Sequence, residues 1–452
     1  MSTDPDTDGG TRMSELDDDE IVITGMGVVT PIGASVADFW EANLRGRSGL
    51  RFEDRMDLSQ LPCGWVAGII PDDLKDAVRE RSGTGPGGAE RSWGDTLMHD
   101  ALDQALADAA VTAPPARAAA LVWARVWPGP SGSFPQDYAP HLRAQAERYQ
   151  AAGTDPVANA EYLADRALPP ELTDVSEFQA EVAAKLGAPV LGTRLEATCS
   201  GGLRAVAEAA RLLRLGDADI AIVTASVSRS TPYVLSQYGQ LMALSRWKGE
   251  DPAQASTPFD ARRSGMVINE SAGAVIVERA SHARARGVER FHAAIGGWGL
   301  AVGTGHVTAP DVTEVERVIR TAIDRSGLTP DDIDTVNAHG TSTKLNDVTE
   351  AGALRRVFGD RLAEIDVCAV KSLTGHGSAA SGVVETVAAA LTLTHDIVPP
   401  VATTTEPDPK CGVKTSLTPV ERPVRTVLKS SFGFGGQYAS MVFTKAAPAA
   451  SA

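Results

Sequence analysis

The sequence predicts an α/β fold whose sheets are covered by helices, and two observations support this prediction. Short apolar runs with strand character alternate with amphipathic helical segments along the 452 residues, as in proteins built from strand–helix units. Hydrophobic residues make up 43% of the chain and charged residues 22%, the ordinary balance of a protein that buries a large core. The composition therefore excludes bulk disorder and a collagen-like fibre.

Both ends of the chain are predicted to be tails. Residues 1–20 contain eight acidic side chains, one arginine and few apolar residues, so we expect a solvated, disordered acidic tail, with a partner-binding arm as the alternative. Residues 448–452 are the second, short tail. The acidic segment accounts for almost half of the net charge of −16. That net charge argues against nucleic acid as a partner.

Targeting and metal-binding signals are not visible in the sequence. The acidic N-terminus has no apolar signal-peptide core, and no run of 18 uncharged apolar residues occurs. Four cysteines without a Cys-x-x-Cys pair exclude a disulfide framework and a zinc ribbon. We therefore expect a cytoplasmic protein in a reducing setting, with no metal site and no membrane partner.

The ordered part of the chain consists of successive strand–helix units with one insert. A strand begins at Ile21, and Ser35 is the predicted N-cap of the helix that follows it. Residues 134–182 are helix-rich, polar and broken by prolines, which predicts an inserted segment. Further strands are predicted over 194–198, 219–225, 333–338, 365–370, 426–431 and 439–443, and further helices over 200–215, 314–325 and 379–393.

Cys199 stands between a predicted strand end and a predicted helix start. Backbone N–H groups at a helix N-terminus favour a thiolate and lower the pKa of a thiol, which would make Cys199 a nucleophile. The small residues that follow, Ser200, Gly201 and Gly202, would let a substrate approach the backbone. A small buried cysteine without a chemical role is an equally good interpretation of the position alone.

Two of the eight histidines, His339 and His376, also lie beside glycines at junctions between a strand and a loop. Such junctions form binding sites in α/β proteins. One cysteine and two histidines are the groups needed to activate a nucleophile and to polarise a carbonyl, although spacing alone leaves a structural role for each histidine open. Glu350 and Lys371 are either an ion pair or two surface charges.

Six motifs in order resemble those of the β-ketoacyl-acyl carrier protein synthases, the condensing enzymes of fatty acid and type II polyketide synthesis. The resemblance extends from Ile21 to about Lys445. Its motifs are Val22-Ile-Thr-Gly-Met-Gly-Val-Val-Thr-Pro-Ile-Gly33, Ala197-Thr-Cys199-Ser-Gly-Gly202, Ser256-Thr-Pro-Phe-Asp260-Ala-Arg262, Asn337-Ala-His339-Gly-Thr-Ser-Thr343, Lys371-Ser-Leu-Thr-Gly-His376 and Phe432-Gly-Phe-Gly-Gly436.

The resemblance implies the thiolase fold, in which two similar halves form a five-layered αβαβα core. The N-terminal half, residues 21–286, would hold the nucleophile, and the C-terminal half, residues 287–447, would hold both histidines. The resemblance also implies an acyl carrier protein as partner, and either a homodimer or a heterodimer with a homologue like a chain-length factor. Substrates would arrive on the phosphopantetheine of the carrier protein, with no permanently bound cofactor.

Carried over residue by residue, the resemblance also assigns roles. Cys199 would take the acyl chain as a thioester, and His339 and His376 would bind the carbonyl of a malonyl-type thioester. Lys371 would stand beside the histidines and pair with Glu350. The backbone N–H groups of Cys199 and Phe434 would form the oxyanion hole, with Phe434 as a gate. Hydrogen bonds to the pantetheine arm are implied for Thr341 and Thr343.

Several segments depart from the family pattern. Asn269-Glu270-Ser271 replaces the usual Gly-Glu-Gly, Lys344 replaces a proline, and Gln437-Tyr438 replaces Thr-Asn. The stretch from Val122 to Gly129 replaces a glycine-rich segment and contains Trp123 and Trp127. These two tryptophans would either reshape an acyl pocket or pack in the core.

The sequence leaves the reaction type open between three alternatives. The first is decarboxylative Claisen condensation of the acyl group on Cys199 with a malonyl-type thioester. The second is transfer of that acyl group to form an ester or amide without decarboxylation. The third is a non-catalytic partner like a chain-length factor, although such proteins usually lack the cysteine that is present here.

Overall fold

The computed structural model describes most of the chain and covers nearly all of the predicted elements. The described residues are 20–53, 66–85, 88, 91–115, 117–124, 175–228, 235, 238–303, 305 and 307–446. The tails, Trp127 and residues 134–174 of the predicted insert lie outside them.

The chain up to residue 286 forms the first set of elements. Its described strands are β1 (Ile21–Val29), β2 (Leu50–Phe52), β3 (Val66–Gly68), β4 (Ala119–Ala124), β5 (Val190–Leu195), β6 (Ile220–Ser228) and β7 (Glu270–Arg279). Its described helices are α1 (Val36–Leu44), α2 (Asp72–Ser82), α3 (Trp93–Asp108), α4 (Val175–Leu186), α5 (Gly201–Leu215) and α6 (Ala280–Ala285).

The remainder of the chain forms the second set. Its described strands are β8 (Ala293–Val302), β9 (Thr335–Asn337), β10 (Asp366–Cys368), β11 (Ile397–Val398), β12 (Val420–Glu421), β13 (Thr426–Gly433) and β14 (Gln437–Thr444). Its described helices are α7 (Val312–Arg325), α8 (Lys344–Phe358), α9 (Lys371–Thr374) and α10 (Ala379–His395).

Local sequence signals account for several helix ends. The hydroxyl of Ser35 accepts a hydrogen bond from the backbone N–H of Asp38 over 3.1 Å, so the predicted N-cap of α1 is confirmed. Gly216 ends α5 in the left-handed conformation, at φ 75°, as predicted for a glycine after the last helical turn. Across the part of the chain that the structure describes, none of the helices combines the length and hydrophobicity needed to cross a bilayer.

Ten strands form a sheet in the order β10-β9-β13-β14-β8-β1-β7-β6-β4-β5. From either outer edge, two parallel pairings are followed by two antiparallel ones. The two halves of this order meet where β1 pairs with β8 through Val22–Ala294 and Ile23–Ala293. The sheet is therefore two five-stranded units of like topology, one from each half of the sequence.

Helices on both faces of these units complete the layers. Helices α5 and α10 pack against each other and against strands of both units, so they form a central layer. Helix α3 covers the outer face of the N-terminal unit, and α7 covers that of the C-terminal unit. Every residue of α10 from Ala379 to Leu393 is buried, as a central helix requires. The predicted five-layered αβαβα arrangement is confirmed.

The glycines after Cys199 have a different role from the one predicted. A Cβ atom at Gly202 would lie 2.2 Å from the carbonyl oxygen of Ala379, and one at Gly382 would lie 2.4 Å from the backbone nitrogen of Leu203. Gly202 and Gly382 therefore let the backbones of α5 and α10 touch. The expectation that Gly202 gives a substrate access to the backbone is wrong, because a helix already occupies that space.

We expect Gly202→Ala to lower the free energy of unfolding by about 3 kcal/mol, since overpacking at a rigid backbone contact is at the upper end of such costs. Gly352→Ala in α8 is the matched control, because its Cβ would meet Val312 at an ordinary 3.5 Å. The control should be neutral or gain roughly 0.5–1 kcal/mol from helix propensity. Denaturant unfolding measures both, and an unchanged midpoint for Gly202→Ala would contradict the packing argument.

Candidate active site

Cys199 lies in a 3₁₀ turn, Thr198–Ser200, between β5 and α5, so the predicted junction is confirmed. Thr198 has φ 47°, a strained conformation for a β-branched residue. Its hydroxyl donates a hydrogen bond to the carbonyl oxygen of Phe434 over 3.2 Å. This strained, tethered turn places Cys199, which is 5% exposed, in the lining of a cavity.

One cavity brings together residues from distant parts of the sequence. Cys199 meets there the two histidines, His339 and His376, which follow β9 and α9. The same cavity is also lined by Met266, 307–310, Thr341, Thr343, Asn346, Phe432, Gly433, Phe434, Gly436 and Tyr438. The three junctions selected from the sequence, those of Cys199, His339 and His376, therefore meet at one cavity.

The two imidazoles lie edge to face, with ring centroids 5.5 Å apart and an interplanar angle of 85°. Ser381 fixes the His376 ring: its hydroxyl accepts the N–H of Gly377 over 2.8 Å and lies 3.2 Å from Nδ1. A hydroxyl can donate to Nδ1 or accept from it, and donation by Ser381 places the ring proton of His376 on Nε2. For His339, the Nδ1 atom lies 3.4 Å from the ammonium of Lys371, which can only donate, so Nε2 again bears the proton.

Both histidines are neutral at neutral pH. Burial lowers the pKa of His339 well below its usual value, and the positive charges of Lys371 and Lys429 lower it further, against a smaller opposing effect of a hydrogen bond with the Phe432 backbone. Burial, Lys371 and Lys429 do the same to the pKa of His376. Two neutral N–H donors in a buried site are suited to an oxygen on which negative charge develops.

The buried histidines make stability depend on pH. Each is neutral in the folded protein but gains a proton near pH 6.5 when unfolded, so its contribution is complete above pH 6.5 and is lost as pH falls below it. As pH falls from 7.5 to 5.5, we expect the free energy of unfolding of the wild type to decrease relative to that of His376→Asn. The decrease is at most about 1.4 kcal/mol per pH unit. The raised pKa of Glu350 acts in the opposite sense, but it is common to both proteins and cancels. Denaturant unfolding at several pH values checks this, and a pH-independent difference would contradict it.

The carboxylate that pairs with Lys371 is Glu385, so the expected pairing with Glu350 is wrong. The ammonium of Lys371 lies 2.5 Å from Oε1 of Glu385 and donates to the carbonyl oxygen of His339 over 2.7 Å. Glu350 instead accepts the backbone N–H groups of His339 and Gly340 over 2.7 and 2.9 Å. Burial raises the pKa of Glu350 to about 7. Its role is therefore to fix the backbone of the loop that holds His339.

Glu385 was missed by the sequence analysis, although a signal for it exists. It is the one charged residue among 379–393, a helix that is otherwise apolar, small or hydroxylic. Lys429 is likewise the one charge in the strand over 426–431. A lone charged residue in a segment predicted to be buried requires a partner of opposite charge. Such residues in the sequence therefore signal a buried ion pair.

The threonines and the phenylalanine implied by the resemblance all line the cavity. The hydroxyl groups of Thr341 and Thr343 lie 2.9 Å apart, and that of Thr343 also caps α8. The loop that contains Phe434 packs on the nucleophile turn, since a Cβ at Gly433 would lie 3.1 Å from the backbone nitrogen of Cys199. Gly433, the neighbour of Phe434, thus lies against the backbone of Cys199, and the oxyanion hole formed by the N–H groups of Cys199 and Phe434 stays a prediction.

Trp123 packs in the core. Its side chain is 3% exposed and meets the ring of Phe178 edge to face, with centroids 5.8 Å apart. It belongs to the core cluster between α3 and the N-terminal strands and is not among the residues that line the cavity. Of the two interpretations considered, core packing therefore describes Trp123. Trp127 lies outside the described residues.

Two departures from the family pattern contact the catalytic loops directly. The side chain of Asn269 donates to the carbonyl oxygens of Thr374 and Gly375, just before His376. Tyr438 accepts the backbone N–H of Asp311 over 3.0 Å through its hydroxyl, and its ring meets Phe432 edge to face. Asn269 thus supports the His376 loop, and Tyr438 fixes the cavity wall formed by 307–310.

Sequence models of one family match most of this chain. The model described as "Beta-ketoacyl synthase, N-terminal domain" matches residues 18–123 and 135–283. The model described as "Beta-ketoacyl synthase, C-terminal domain" matches residues 292–405.

Curated relatives are similar over almost their entire length. The 3-oxoacyl-[acyl-carrier-protein] synthase 2 of Rhizobium meliloti (strain 1021) is 32% identical over 441 residues, 94% of this chain and 98% of the relative. The tetracenomycin polyketide synthase ketoacyl synthase alpha subunit of Streptomyces glaucescens is 30% identical over 428 residues, 94% of this chain and 97% of the relative.

Solved structures show the same similarity. A type II polyketide synthase ketosynthase, solved with its acyl-carrier protein and bound to the hexaketide, superposes with a TM-score of 0.77 at 26% identity. The ishigamide ketosynthase/chain length factor gives a TM-score of 0.77 at 29% identity. Each match covers 94% of this chain and 99% of the solved one.

Proposed function

Because this chain belongs to the β-ketoacyl synthase family and has its thiolase fold, we propose that it is a ketosynthase, an acyltransferase of fatty acid or polyketide biosynthesis. It takes an acyl group from an acyl carrier protein onto Cys199 and condenses it with a malonyl-type thioester, with release of CO₂. The main support is the convergence of Cys199, His339 and His376 on one cavity.

The first half-reaction is acyl transfer to Cys199. The sulfur attacks the thioester carbonyl of the acyl-carrier protein, and the carrier thiol leaves, so one thioester is exchanged for another. Negative charge develops on the carbonyl oxygen during the attack. The backbone N–H groups of Cys199 and Phe434 would stabilise it, and the hydrogen bond from Thr198 holds the carbonyl group of Phe434 in place.

The second half-reaction begins with decarboxylation. Loss of CO₂ from a malonyl thioester leaves an enolate, with its charge on the thioester oxygen. The Nε2–H groups of His339 and His376 would donate to that oxygen, and since both rings are neutral, neither proton is transferred. The enolate carbon then attacks the acyl-Cys199 carbonyl, the Cys199 sulfur leaves, and a β-ketoacyl thioester forms on the carrier protein.

The substrate arm and the partners follow from the same site. Thr341 and Thr343 present hydroxyl groups to the cavity and would hydrogen-bond the phosphopantetheine arm. The acyl carrier protein is the partner that this chemistry requires, and relatives solved with a carrier protein or a chain length factor support it. Native mass would distinguish a homodimer from a heterodimer with a chain-length-factor-like homologue.

The test of this proposal is a two-step assay. The protein is first incubated with a panel of acyl-carrier proteins, and peptide mapping shows whether Cys199 is acylated. Malonyl-carrier protein is then added and CO₂ is measured. Acylation followed by CO₂ release supports a ketosynthase. Acylation followed by an ester or amide without CO₂ would replace it with a non-decarboxylating transferase, and no acylation at all would favour a non-catalytic partner.

A further inference from the structure

A second buried lysine, Lys429 on β13, has no part in the mechanism described so far. Its side chain is 0% exposed, and its ammonium lies 2.8 Å from Oε2 of Glu385. The same ammonium donates to the carbonyl oxygen of Ser430. A buried charge is costly unless it is paired, so this lysine requires a structural or chemical reason.

Glu385 links Lys429 to the candidate catalytic histidine. One carboxylate oxygen faces Lys429 and the other lies 2.5 Å from Lys371. Lys371 in turn donates to the carbonyl oxygen of His339 and lies 3.4 Å from its Nδ1 atom. Two ammonium groups therefore share one carboxylate behind the His339 ring.

Glu385 alone does not neutralise the two buried lysines. Lys371 and Lys429 bear two positive charges, and Glu385 bears one negative charge. The other titratable groups near Lys429 are Glu350, Cys368 and the two histidines of the site. Glu350 has a pKa raised to about 7, and Cys368 has a pKa raised to about 12, so neither fully supplies a second negative charge at neutral pH.

This arrangement has a geometric consequence. Each ammonium faces one oxygen of Glu385, which orients the carboxylate between the two lysines while Lys371 keeps its contact with His339. Without Lys429, both carboxylate oxygens would be available to Lys371 and would draw it away from the imidazole. The second lysine thus determines where the first one lies.

We propose that Lys429 is a positioning residue for the decarboxylation half-reaction: through Glu385 it holds Lys371 against His339 and so keeps the Nε2–H of His339 directed into the cavity. This inference rests on the proposed ketosynthase function and extends it. Lys429 does not touch the substrate cavity, so its effect is confined to the histidine side of the site. Acylation of Cys199 does not depend on it.

Lys429→Met tests the inference, because methionine occupies a similar volume and leaves Lys371 and Glu385 as a balanced pair. We expect CO₂ release from malonyl-carrier protein to fall about 10- to 100-fold, as a misplaced catalytic group does, while the rate of Cys199 acylation stays within about twofold. The acid limb of the pH profile of CO₂ release should also move to higher pH. Removal of the nearby positive charge raises the pKa of both His339 and His376.

Two further variants make the outcome decisive. Lys445→Met removes a lysine whose partner is Asp396, the C-cap residue of α10, and should leave both rates and the pH profile unchanged. Lys429→Gln is neutral but polar and should reproduce the acid-limb shift of Lys429→Met. An unchanged acid limb in both Lys429 variants, or an equal loss of acylation and CO₂ release, would overturn the positioning role. Failure of the wild type itself to acylate or to release CO₂ would instead refute the proposed function.

Discussion

Cys199→Ala is expected to abolish acyl transfer from the carrier protein while leaving the fold intact. The sulfur is the only atom lost, and the strained turn that presents it is held by the hydroxyl of Thr198, which remains. Removal of a catalytic nucleophile costs about 10⁶ in rate in well-studied enzymes, so no acyl-enzyme should form on the assay timescale. Intact-mass measurement after incubation with acyl-carrier protein gives the result directly.

The control for this experiment is a second buried cysteine. Cys411 is 1% exposed, and burial raises the pKa of its thiol to about 12, so it cannot serve as a thiolate nucleophile. Cys411→Ala should therefore be acylated to the same stoichiometry as wild type. A stoichiometric acyl-enzyme in Cys199→Ala would remove Cys199 from the mechanism.

His339→Ala and His376→Ala are expected to block condensation without blocking acylation. Each substitution removes one N–H donor to the developing enolate, and one such donor is worth about 10²–10³ in rate. The backbone N–H groups that serve acylation are on other loops and remain. Single-turnover acylation and CO₂ release, measured on the same preparation, separate the two half-reactions.

His395 provides the comparison for these two variants. It lies at the end of α10, where its ring stacks on Trp40 with centroids 5.5 Å apart, and it does not line the cavity. His395→Ala should leave both half-reactions at the wild-type rate. CO₂ release at the wild-type rate in His339→Ala or His376→Ala would show that the imidazoles do not stabilise the enolate.

The sequence predicts the positions of the reactive groups well because local signals determine them. Cys199 is marked by a strand end, small residues and a following helix, and His339 and His376 by neighbouring glycines. These signals depend on a few adjacent residues, so the structure reproduces them. Most strand and helix limits also agree, since apolar runs and the stops at Ser35 and Gly216 are local features. The strand predicted over 194–198 is an exception: it spans Val190–Leu195, and Thr198 already belongs to the 3₁₀ turn of Cys199.

The sequence fails where a contact depends on the packing of distant elements. The sequence analysis paired Lys371 with Glu350, and only the position of α10 in the central layer brings Glu385 to Lys371 instead. Gly202 looks like an access point for substrate until α10 is placed against it. The partner of a buried charge and the reason for a buried glycine are properties of the tertiary structure.

The departures from the family pattern illustrate the same limit. Asn269 and Tyr438 stand out as differences in the sequence, but their hydrogen bonds to the loops before His376 and at Asp311 become visible only in the folded chain. Both contacts support the walls of the cavity and leave Cys199, His339 and His376 in place. The divergence therefore concerns the shape of the substrate site and not its reactive groups.

The stoichiometry of CO₂ and product tests the central claim most directly. Wild-type protein acylated on Cys199 is mixed with malonyl-carrier protein, and both CO₂ and the carrier-bound product are quantified by mass. The proposed mechanism predicts one CO₂ for each β-ketoacyl-carrier protein formed and for each acyl group lost from Cys199. Loss of the acyl group to any acceptor without CO₂, or CO₂ release without carbon–carbon bond formation, would contradict it.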